Sequence, residues 1–218
     1  MSDTQHIPFR EVPYLKQKLV IDRRADGTVL LSNGQPLKDY PPHMLWPLKH
    51  WAEHAPDRTW LAQRDPIDPS REGWQEISYA EAWARIQGLA QGFLNAGDPA
   101  PLLILSRITI DHALVMYGAM LAGCPVVPVT PAYALLSQDF ARLTYFDGLV
   151  EPKYIYVEDG TEYQRGLDGM GVGDRLVLYS RNAPQVANSA DLDTFAAPGG
   201  NSVAEAYDRL KPDTIAKF

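Results

Sequence analysis

The composition describes an acidic globular chain and excludes several kinds of protein. At 218 residues with a formal net charge of −7, the chain can form one large domain or two small ones. The negative charge argues against nucleic acid as a main partner, because phosphate binding needs a basic face. A single cysteine allows no internal disulfide, and no run approaches the roughly eighteen apolar residues of a membrane span. The sequence therefore predicts a cytoplasmic protein without a membrane span.

The first forty residues read as an arm that precedes the main body of the chain. Residues 1–17 are polar and are expected to be loosely ordered. Two β-prone runs at 18–22 and 28–32 flank Asp26-Gly27, which predicts a β-hairpin. Because Pro41-Pro42 can separate this arm from the main body, we expect residues 1–40 and 41–218 to form separate units.

Two amphipathic helices come next, with two short strands between them at 59–63 and 73–77. The first begins near His43 and stops at Pro56, and its apolar residues share one face: Leu45, Leu48, Trp51, Ala52 and Ala55. Ser78 and Glu81 have capping-box spacing and open the second helix, which Gly97 ends. Its predicted buried face is Tyr79, Ala82, Trp83, Ile86, Leu89, Ala90, Phe93 and Leu94.

The stretch from Leu102 to Phe140 has the pattern of a buried βαβ unit. Two short apolar runs at 102–105 and 126–129 lack polar alternation, as strands covered on both faces do. The block between them, 113–122, is long enough for a helix and apolar almost all round, so it should lie beneath other structure. Its Gly118 would let a neighbouring backbone approach closely.

The remaining pattern alternates strands with helices. We predict strands at 154–157 and 176–179, and helices from Ser137 through Phe146, at 161–167 and at 203–210, with 181–200 as a long loop. Such alternation predicts an α/β fold: a doubly wound, mostly parallel sheet flanked by helices, with an N-terminal β-hairpin arm.

One short motif has the spacing of a metal site. His50-Trp-Ala-Glu-His54 fits the H-x-x-E-H pattern of an inverted zinc peptidase, in which two histidines one turn apart share the metal. Against this interpretation, a buried face formed by Trp51 and Ala52 turns both histidines toward solvent, and no later carboxylate has the context of a third ligand. The favoured interpretation is therefore a solvated helix end with no metal site.

Two glycine-rich segments resemble phosphate-binding loops but lack their defining features. In Gly166–Gly173 the position that G-x-G-x-x-G reserves for its last glycine is Asp174, and a strand follows rather than a helix, so we predict a connecting loop. Gly199-Gly200 lacks the lysine and the serine or threonine of a phosphate loop.

The remaining reactive side chains have simple structural interpretations. Cys124 lies between Gly123 and Pro125 at a buried helix end and is expected to be a small core residue. Asp111-His112 opens the buried helix, and the helix dipole favours a negatively charged aspartate at that end. An acid–base role for this pair would require a nearby nucleophile, which the sequence does not indicate. These residues predict an α/β domain without a catalytic set.

The order of motifs resembles a known family. Leu48-Lys-His-Trp-Ala-Glu-His-Ala-Pro-Asp-Arg58 followed by Trp74-Gln-Glu-Ile-Ser-Tyr-Ala-Glu81 resembles the opening of acyl-adenylate-forming (AMP-binding, acyl- or aryl-CoA ligase) enzymes. The sequence segments 111–120, 123–133 and 136–140 are similar to those of the feruloyl-CoA synthetase branch of that superfamily. Ser106-Arg-Ile-Thr109 departs from the branch, in which a Gly-Asn pair follows the serine.

This resemblance implies a two-step reaction for a complete enzyme. ATP and a carboxylic acid, aromatic (hydroxycinnamic) or fatty, give an acyl-adenylate and pyrophosphate, and coenzyme A then displaces AMP, with Mg²⁺ neutralising phosphate charge. In the family, the segment like Asp213–Phe218 leads directly into the phosphate loop. The chain is therefore expected to be an N-terminal piece and an incomplete domain that is inactive alone and serves as scaffold.

The resemblance assigns no catalytic, cofactor-binding or metal-binding residue within this chain. Homo-oligomerisation is left open. Two other hypotheses remain. The chain could be a non-catalytic binding module that uses an exposed sheet edge, or the adenylation domain of a larger synthetase or carboxylate reductase.

Overall fold

The computed structural model describes residues 18–64 and 73–218, which divide into two compact units with the boundary between Tyr40 and Pro41. The described part of the first unit is the predicted hairpin of antiparallel strands β1 (Leu19–Arg23) and β2 (Val29–Asn33). Its turn places Gly27 at φ +86°, and the Gly27 N–H donates to the Arg24 carbonyl. The predicted loose order of residues 1–17 falls outside the described residues.

The second unit is an α/β domain. Its elements in chain order are α1 (Trp46–His54), β3 (Thr59–Gln63), β4 (Gln75–Ser78), α2 (Tyr79–Ala96), β5 (Leu102–Leu105), α3 (Ile110–Leu121), β6 (Val126–Val129), α4 (Ala132–Leu135), α5 (Ala141–Val150), β7 (Tyr154–Asp159), α6 (Gly160–Met170), β8 (Leu176–Arg181), β9 (Ser189–Asp191), α7 (Leu192–Phe195) and α8 (Asn201–Arg209). β3 and β4 form an antiparallel pair.

The core of the domain is a parallel five-stranded sheet with the order β6-β5-β7-β8-β9. The predicted βαβ unit is present as β5, α3 and β6. Helix α3 begins at Ile110, one residue before the Asp111-His112 pair predicted to open it, because the Thr109 hydroxyl accepts the His112 N–H at 3.0 Å and caps the helix there.

Alternate residues of each strand enter two separate apolar layers. Leu102 and Ile104 point into a layer shared with α2 and α3, whereas Leu103 and Leu105 point into a layer shared with α4, α5 and α6. All four side chains are fully buried. Each such leucine or isoleucine contributes about 1.5–3 kcal/mol through burial, which explains why both faces of these strands are apolar.

Helix α2 covers α3 through an unusually close approach at Gly118. A Cβ atom at Gly118 would lie 2.6 Å from Cβ of Leu89, so the expected role of this glycine is confirmed. The predicted capping box of α2 is also present: the Ser78 hydroxyl accepts the Glu81 N–H, and the Glu81 carboxylate accepts the Ser78 N–H. The second helix therefore begins where its sequence predicts.

The predicted buried face of α1 is only partly correct. Leu45 and Leu48 are buried, but Trp51 is 41% exposed and packs its ring edge against His50. Residues three apart advance by about 300° around a helix, so each step drifts about 60° from the previous one. Two such steps carry Trp51 to the margin of the apolar stripe.

The helix predicted from Ser137 begins later than expected. Phe140 adopts a left-handed conformation (φ +52°), and α5 starts only at Ala141. The Ser137 hydroxyl accepts the Phe140 N–H at 2.9 Å, so it closes the preceding turn rather than capping the helix. The Phe140 ring lies over Gly169, where a Cβ would be 2.2 Å from it, and this tertiary contact favours the unusual backbone.

Two predicted loops contain regular structure. Residues 166–170 belong to α6, which ends at Gly171 in a left-handed cap (φ +67°), so the predicted connecting loop is confined to the residues after Met170. The predicted loop 181–200 contains β9 and α7. β9 is short and polar and pairs with β8 at the sheet edge, so its own residues carried no periodic signal.

Candidate functional site

The candidate site lies at the carboxyl ends of β5, β7 and β8. From β5 the chain passes through α3 to β6 on one side, and after β6 it returns to β7 on the other side. In doubly wound sheets, ligands bind outside the carboxyl ends of the strands where the order reverses in this way. The side chains that come directly after Leu105 and Val157 are therefore the first candidates for contact with a ligand.

A serine and a histidine meet beside this reversal. Ser106 follows β5, and its Oγ lies 2.7 Å from Nδ1 of His112 in the first turn of α3. Ser106 is 4% exposed, and burial lowers the pKa of His112. The structure thus brings together a hydroxyl and an imidazole that sequence reasoning did not connect. Because the hydroxyl is buried, the pair fixes the turn between β5 and α3 and does not present a nucleophile to solvent.

A buried carboxylate lies on the other side of the reversal. Glu158, 1% exposed, accepts hydrogen bonds through Oε1 from the Arg107 guanidinium (2.6 Å), the Arg107 N–H (3.2 Å) and the Tyr163 hydroxyl (3.1 Å). Its Oε2 is buried without a partner among the described residues. Arg107 also pairs with Glu162, and this hydrogen bond raises the pKa of Arg107 and lowers that of Glu162. Arg107 thus links β5 to β7 and α6.

Asp159 organises the next strand end. Its Oδ1 accepts the N–H groups of Thr161 and Glu162 and caps α6, while its Oδ2 accepts Nδ2 of Asn182 at 2.8 Å and lies 3.5 Å from Nε of Arg181. Burial favours a higher pKa for Asp159, but these hydrogen bonds and the charge of Arg181 outweigh it and lower the pKa. The N-terminus of α6 is therefore already occupied by a carboxylate.

A cleft of about 540 Å³ lies between the β3–β4 pair and helices α2 and α3. Arg85 lines it and pairs with Asp111 (3.4 Å) and Asp193 (3.0 Å). The predicted helix-opening Asp111 is thus an ion-pair partner that ties α3 to α2. The Gln63 side chain accepts the Ile110 N–H at 2.7 Å, which joins the β3–β4 pair to the same helix end.

The two-histidine motif and Cys124, which the sequence also singled out, belong to other parts of the domain. His54 is exposed and His50 is half-buried, and their stacked rings lie 4.1 Å apart between centroids. Within residues 18–64 and 73–218, no group of three or more His, Cys, Asp or Glu side chains is arranged to hold a metal ion. Cys124 is 1% exposed, and burial raises the pKa of its thiol, as expected for a small core residue.

The final residues of the chain begin another pairing with the sheet. Val126 and Lys217 form a parallel bridge, in which the Val126 N–H donates to the Ala216 carbonyl and the Phe218 N–H donates to the Val126 carbonyl, each at 3.0 Å. Residues 216–218 therefore run along β6 in the direction of its carboxyl end.

Comparison with known proteins identifies the family. The family model described as AMP-binding enzyme matches residues 48–193, about two thirds of the chain and a span that includes β5, α3 and β7. The chain belongs to this family of AMP-binding enzymes. A comparison with curated protein sequences gives no match.

Solved structures share the fold at low sequence identity. A luciferase-like enzyme from the nonluminescent mealworm Zophobas morio superposes with a TM-score of 0.53 at 17% identity, over 77% of this chain and 35% of that one. A protein assigned as a long-chain-fatty-acid CoA ligase from Rhodopseudomonas palustris gives 0.53 at 19% identity, over 70% and 36%. VinN gives 0.53 at 18% identity, over 78% and 39%. The chain thus spans little more than a third of each neighbour.

These neighbours establish the fold class. The chain has the α/β fold of the N-terminal domain of adenylate-forming enzymes, a mostly parallel five-stranded sheet flanked by helices. In the described part of the chain, no helix combines the length and apolarity needed to cross a membrane.

Proposed function

We propose that this chain is the N-terminal portion of an ATP-dependent acid–CoA ligase of the feruloyl-CoA synthetase type. The complete enzyme would form an acyl-adenylate and then a CoA thioester. This portion would serve as scaffold for the ATP and acid sites. The proposal is supported by membership of the AMP-binding enzyme family and by the motifs at 111–140 that resemble the feruloyl branch.

The observation that carries the proposal is the pairing of residues 216–218 with β6. A chain that continued beyond Phe218 in the same direction would run along β6 toward the carboxyl ends of the sheet. In the family that the chain resembles, the segment at this point leads into the phosphate loop. Such a loop would then lie at the same edge as Ser106 and Glu158, where ligands of doubly wound sheets bind.

The described acidic side chains at the sheet edge interact with neighbouring protein groups. Glu158 and Glu162 share Arg107, and Asp159 caps α6 and lies close to Arg181. Among the described residues, no group of three or more His, Cys, Asp or Glu side chains is arranged to hold a metal ion. From membership of the AMP-binding enzyme family, ATP, Mg²⁺ and coenzyme A are proposed as cofactors of the complete enzyme. No step of the reaction is assigned to a residue of this chain.

The acid is the least constrained part of the proposal. The resemblance favours a hydroxycinnamic acid, whereas the Rhodopseudomonas palustris neighbour is assigned to long-chain fatty acids and VinN was solved with L-aspartate. Ferulate, palmitate and L-aspartate therefore form the test panel. We further propose a cytoplasmic protein and leave homo-oligomerisation to measurement.

The decisive experiment compares two proteins in carboxylate-dependent ATP–pyrophosphate exchange. The 218-residue chain should show no exchange above background with any of the three acids. A form extended through the coding sequence beyond Phe218 should show exchange with ferulate and then form the CoA thioester. Exchange by the 218-residue chain would contradict the scaffold role, and an extended sequence without a phosphate loop would contradict the ligase assignment.

The alternative of a binding module that uses the sheet edge has less support. Along the outer edge of β6, the Val126 N–H is already engaged by Ala216, and Pro128, the next residue facing the same way, has no N–H. This part of the edge therefore offers an added strand no free donor. A pull-down that recovers a stoichiometric protein partner through this edge would favour the alternative.

A further inference from the structure

We propose that one face of the β1–β2 hairpin docks onto the part of the complete enzyme that follows Phe218, a proposal that rests on the function proposed above. Four large apolar side chains form this surface, which is called the hairpin face: Leu19, Ile21, Val29 and Leu31. Their exposed fractions lie between 44% and 64%, so each of the four residues remains open to solvent. An apolar surface of this kind on a small element marks a site of contact with another part of a protein.

The strand register puts these four side chains on the same side of the hairpin. Directly paired residues of an antiparallel ladder share a face, and successive residues alternate between faces. Ile21 pairs with Leu31 at the centre of the hairpin. Leu19 and Val29 each lie two residues from one member of this pair, so they point the same way. The opposite side carries the pairs Val20–Ser32 and Asp22–Leu30.

The hairpin needs a cover because two strands alone do not form a stable sheet in water. An isolated two-stranded hairpin is marginally stable at best, and independent stability requires three or more strands with an apolar face, or packing against a helix. Among the described residues, β1 and β2 pair only with each other. Burial of the hairpin face would supply the missing stabilisation, because roughly half of each of its four residues is still exposed.

The size of the hairpin face argues against a second copy of this chain as its occupant. Strands of five residues are about 17 Å long, and two strands together are about 10 Å wide. The outline of the face is therefore on the order of 200 Å², whereas a stable dimer buries about 800 Å² from each partner. A segment of the same polypeptide needs far less contact area, because its tether gives it a high effective concentration. The geometry therefore favours an intramolecular partner.

Solved structures with this fold contain enough further chain to provide that partner. The part that matches here is 35%, 36% and 39% of the three neighbours described above. A complete enzyme of comparable length would have more than half of its residues outside this chain. The portion beyond Phe218 would present the apolar surface that covers the hairpin face.

Hydrogen–deuterium exchange of the 218-residue chain and of the form extended beyond Phe218 tests the docking. The amides of residues 19–33 should exchange rapidly in the 218-residue chain. In the extended form they should exchange at least about tenfold more slowly, the factor that burial of one leucine side chain is worth. Slow exchange in the 218-residue chain would overturn the proposal, because this chain or a second copy would then already cover the face. Equal rates in the two forms, or a coding sequence that ends at Phe218, would overturn it as well.

Two matched double variants of the extended form separate the hairpin face from the opposite side. Ile21→Thr/Leu31→Thr removes the central pair of the face and should speed exchange of residues 19–33 by at least about tenfold. Val20→Thr/Leu30→Thr removes two apolar side chains from the other side and should have a much smaller effect. Threonine suits strands, so both variants keep the propensity to form the hairpin. Equal acceleration by the two variants would refute the assignment of the face.

The exchange of ATP with pyrophosphate distinguishes this proposal from the proposed function. A protected hairpin in an extended form that has no ligase activity would support the docking and contradict the ligase assignment. An active extended form in which residues 19–33 still exchange rapidly would overturn the docking and leave the ligase assignment intact.

Discussion

The Oγ atom of Ser106 lies 2.7 Å from Nδ1 of His112, and this contact joins the end of β5 to the first turn of α3. Both residues belong to the turn that opens toward the proposed ligand edge. Ser106 is 4% exposed, so bulk water cannot replace His112 as the partner of its hydroxyl without rearrangement. The contact therefore matters for how firmly that turn is held.

Removal of the Ser106 hydroxyl should destabilise the domain. Ser106→Ala leaves a ring nitrogen of His112 without its partner, which costs about 1–3 kcal/mol of unfolding free energy. Urea denaturation followed by tryptophan fluorescence measures this change. Ser137→Ala, which removes a hydroxyl from the surface turn before α5, is the control and should cost less. Equal losses of unfolding free energy for the two variants would show that the buried contact contributes no more to stability than the surface turn.

Stability should fall as the pH decreases from 7 to 5.5. Burial lowers the pKa of His43 and of His112 below their ordinary value, so the folded protein resists protonation while the unfolded chain accepts protons near pH 6.5. Above about pH 7 these groups are neutral in both states and contribute no pH dependence. Urea midpoints measured across this range should decrease toward the acid side.

A variant identifies the source of that pH dependence. His112→Gln should show a shallower decrease between pH 7 and 5.5 than the wild type, with His43 responsible for the remainder. Parallel curves for the two proteins would exclude His112 as a contributor. Below about pH 4.5 a further loss is expected, because Asp159 and Glu162 have lowered pKa values and their interactions require ionised carboxylates.

Removal of the Arg107 side chain should lower the stability of the domain more than removal of the charge of its exposed partner Glu162. Arg107→Ala leaves the Glu158 carboxylate, 1% exposed, without its cation, and we expect a cost of about 3 kcal/mol. This value lies at the low end for a buried pair because the guanidinium is half exposed. Glu162→Gln removes only an exposed partner and should cost less than about 1 kcal/mol.

A second substitution checks that explanation. In the Arg107→Ala background, Glu158→Gln removes the unpaired charge and should recover part of the lost stability. If the double variant is no more stable than Arg107→Ala, the cost comes from lost packing of the arginine and not from the buried carboxylate. Thermal unfolding and urea denaturation both report the difference.

Two helix glycines should respond in opposite directions to alanine. At Gly118 the new Cβ would lie 2.6 Å from Cβ of Leu89, so Gly118→Ala should force α2 and α3 apart and destabilise the domain by about 1–3 kcal/mol. At Gly148, in α5, no atom lies within 4 Å of the new Cβ, and Gly148→Ala should stabilise by about 0.5–1 kcal/mol. Calorimetric unfolding measures both, and a stabilising Gly118→Ala would contradict the close helix contact.

Patterns within short stretches of sequence predicted most of the fold. The apolar runs that became β5, β6, β7 and β8 were recognised because strands covered on both faces must be apolar at every position. The start of α2 was recognised because Ser78 and Glu81 satisfy each other's backbone donors within a single turn. Such signals depend only on neighbours in sequence, so they can be recognised without knowledge of the tertiary structure.

The errors arose where distant residues decide the local conformation. Phe140 is left-handed where its ring packs over Gly169, and the three residues of β9 are a strand only through their pairing with β8. Trp51 left the predicted buried face because the apolar stripe drifts around α1. For Phe140 and β9 the deciding contact is with another element of the fold, whereas the position of Trp51 follows from the helical period itself.

The sequence by itself determined the class of the protein: an acidic α/β chain whose ordered motifs resemble an adenylate-forming family, of which it is a member. Only the tertiary structure decided which side chains meet at the candidate site. Arg107 with Glu158 and Asp159 with Asn182 come together because parallel strands bring their carboxyl ends to one edge. The loops that leave those strands are separated in sequence by whole helices, so their side chains become neighbours only when the sheet assembles.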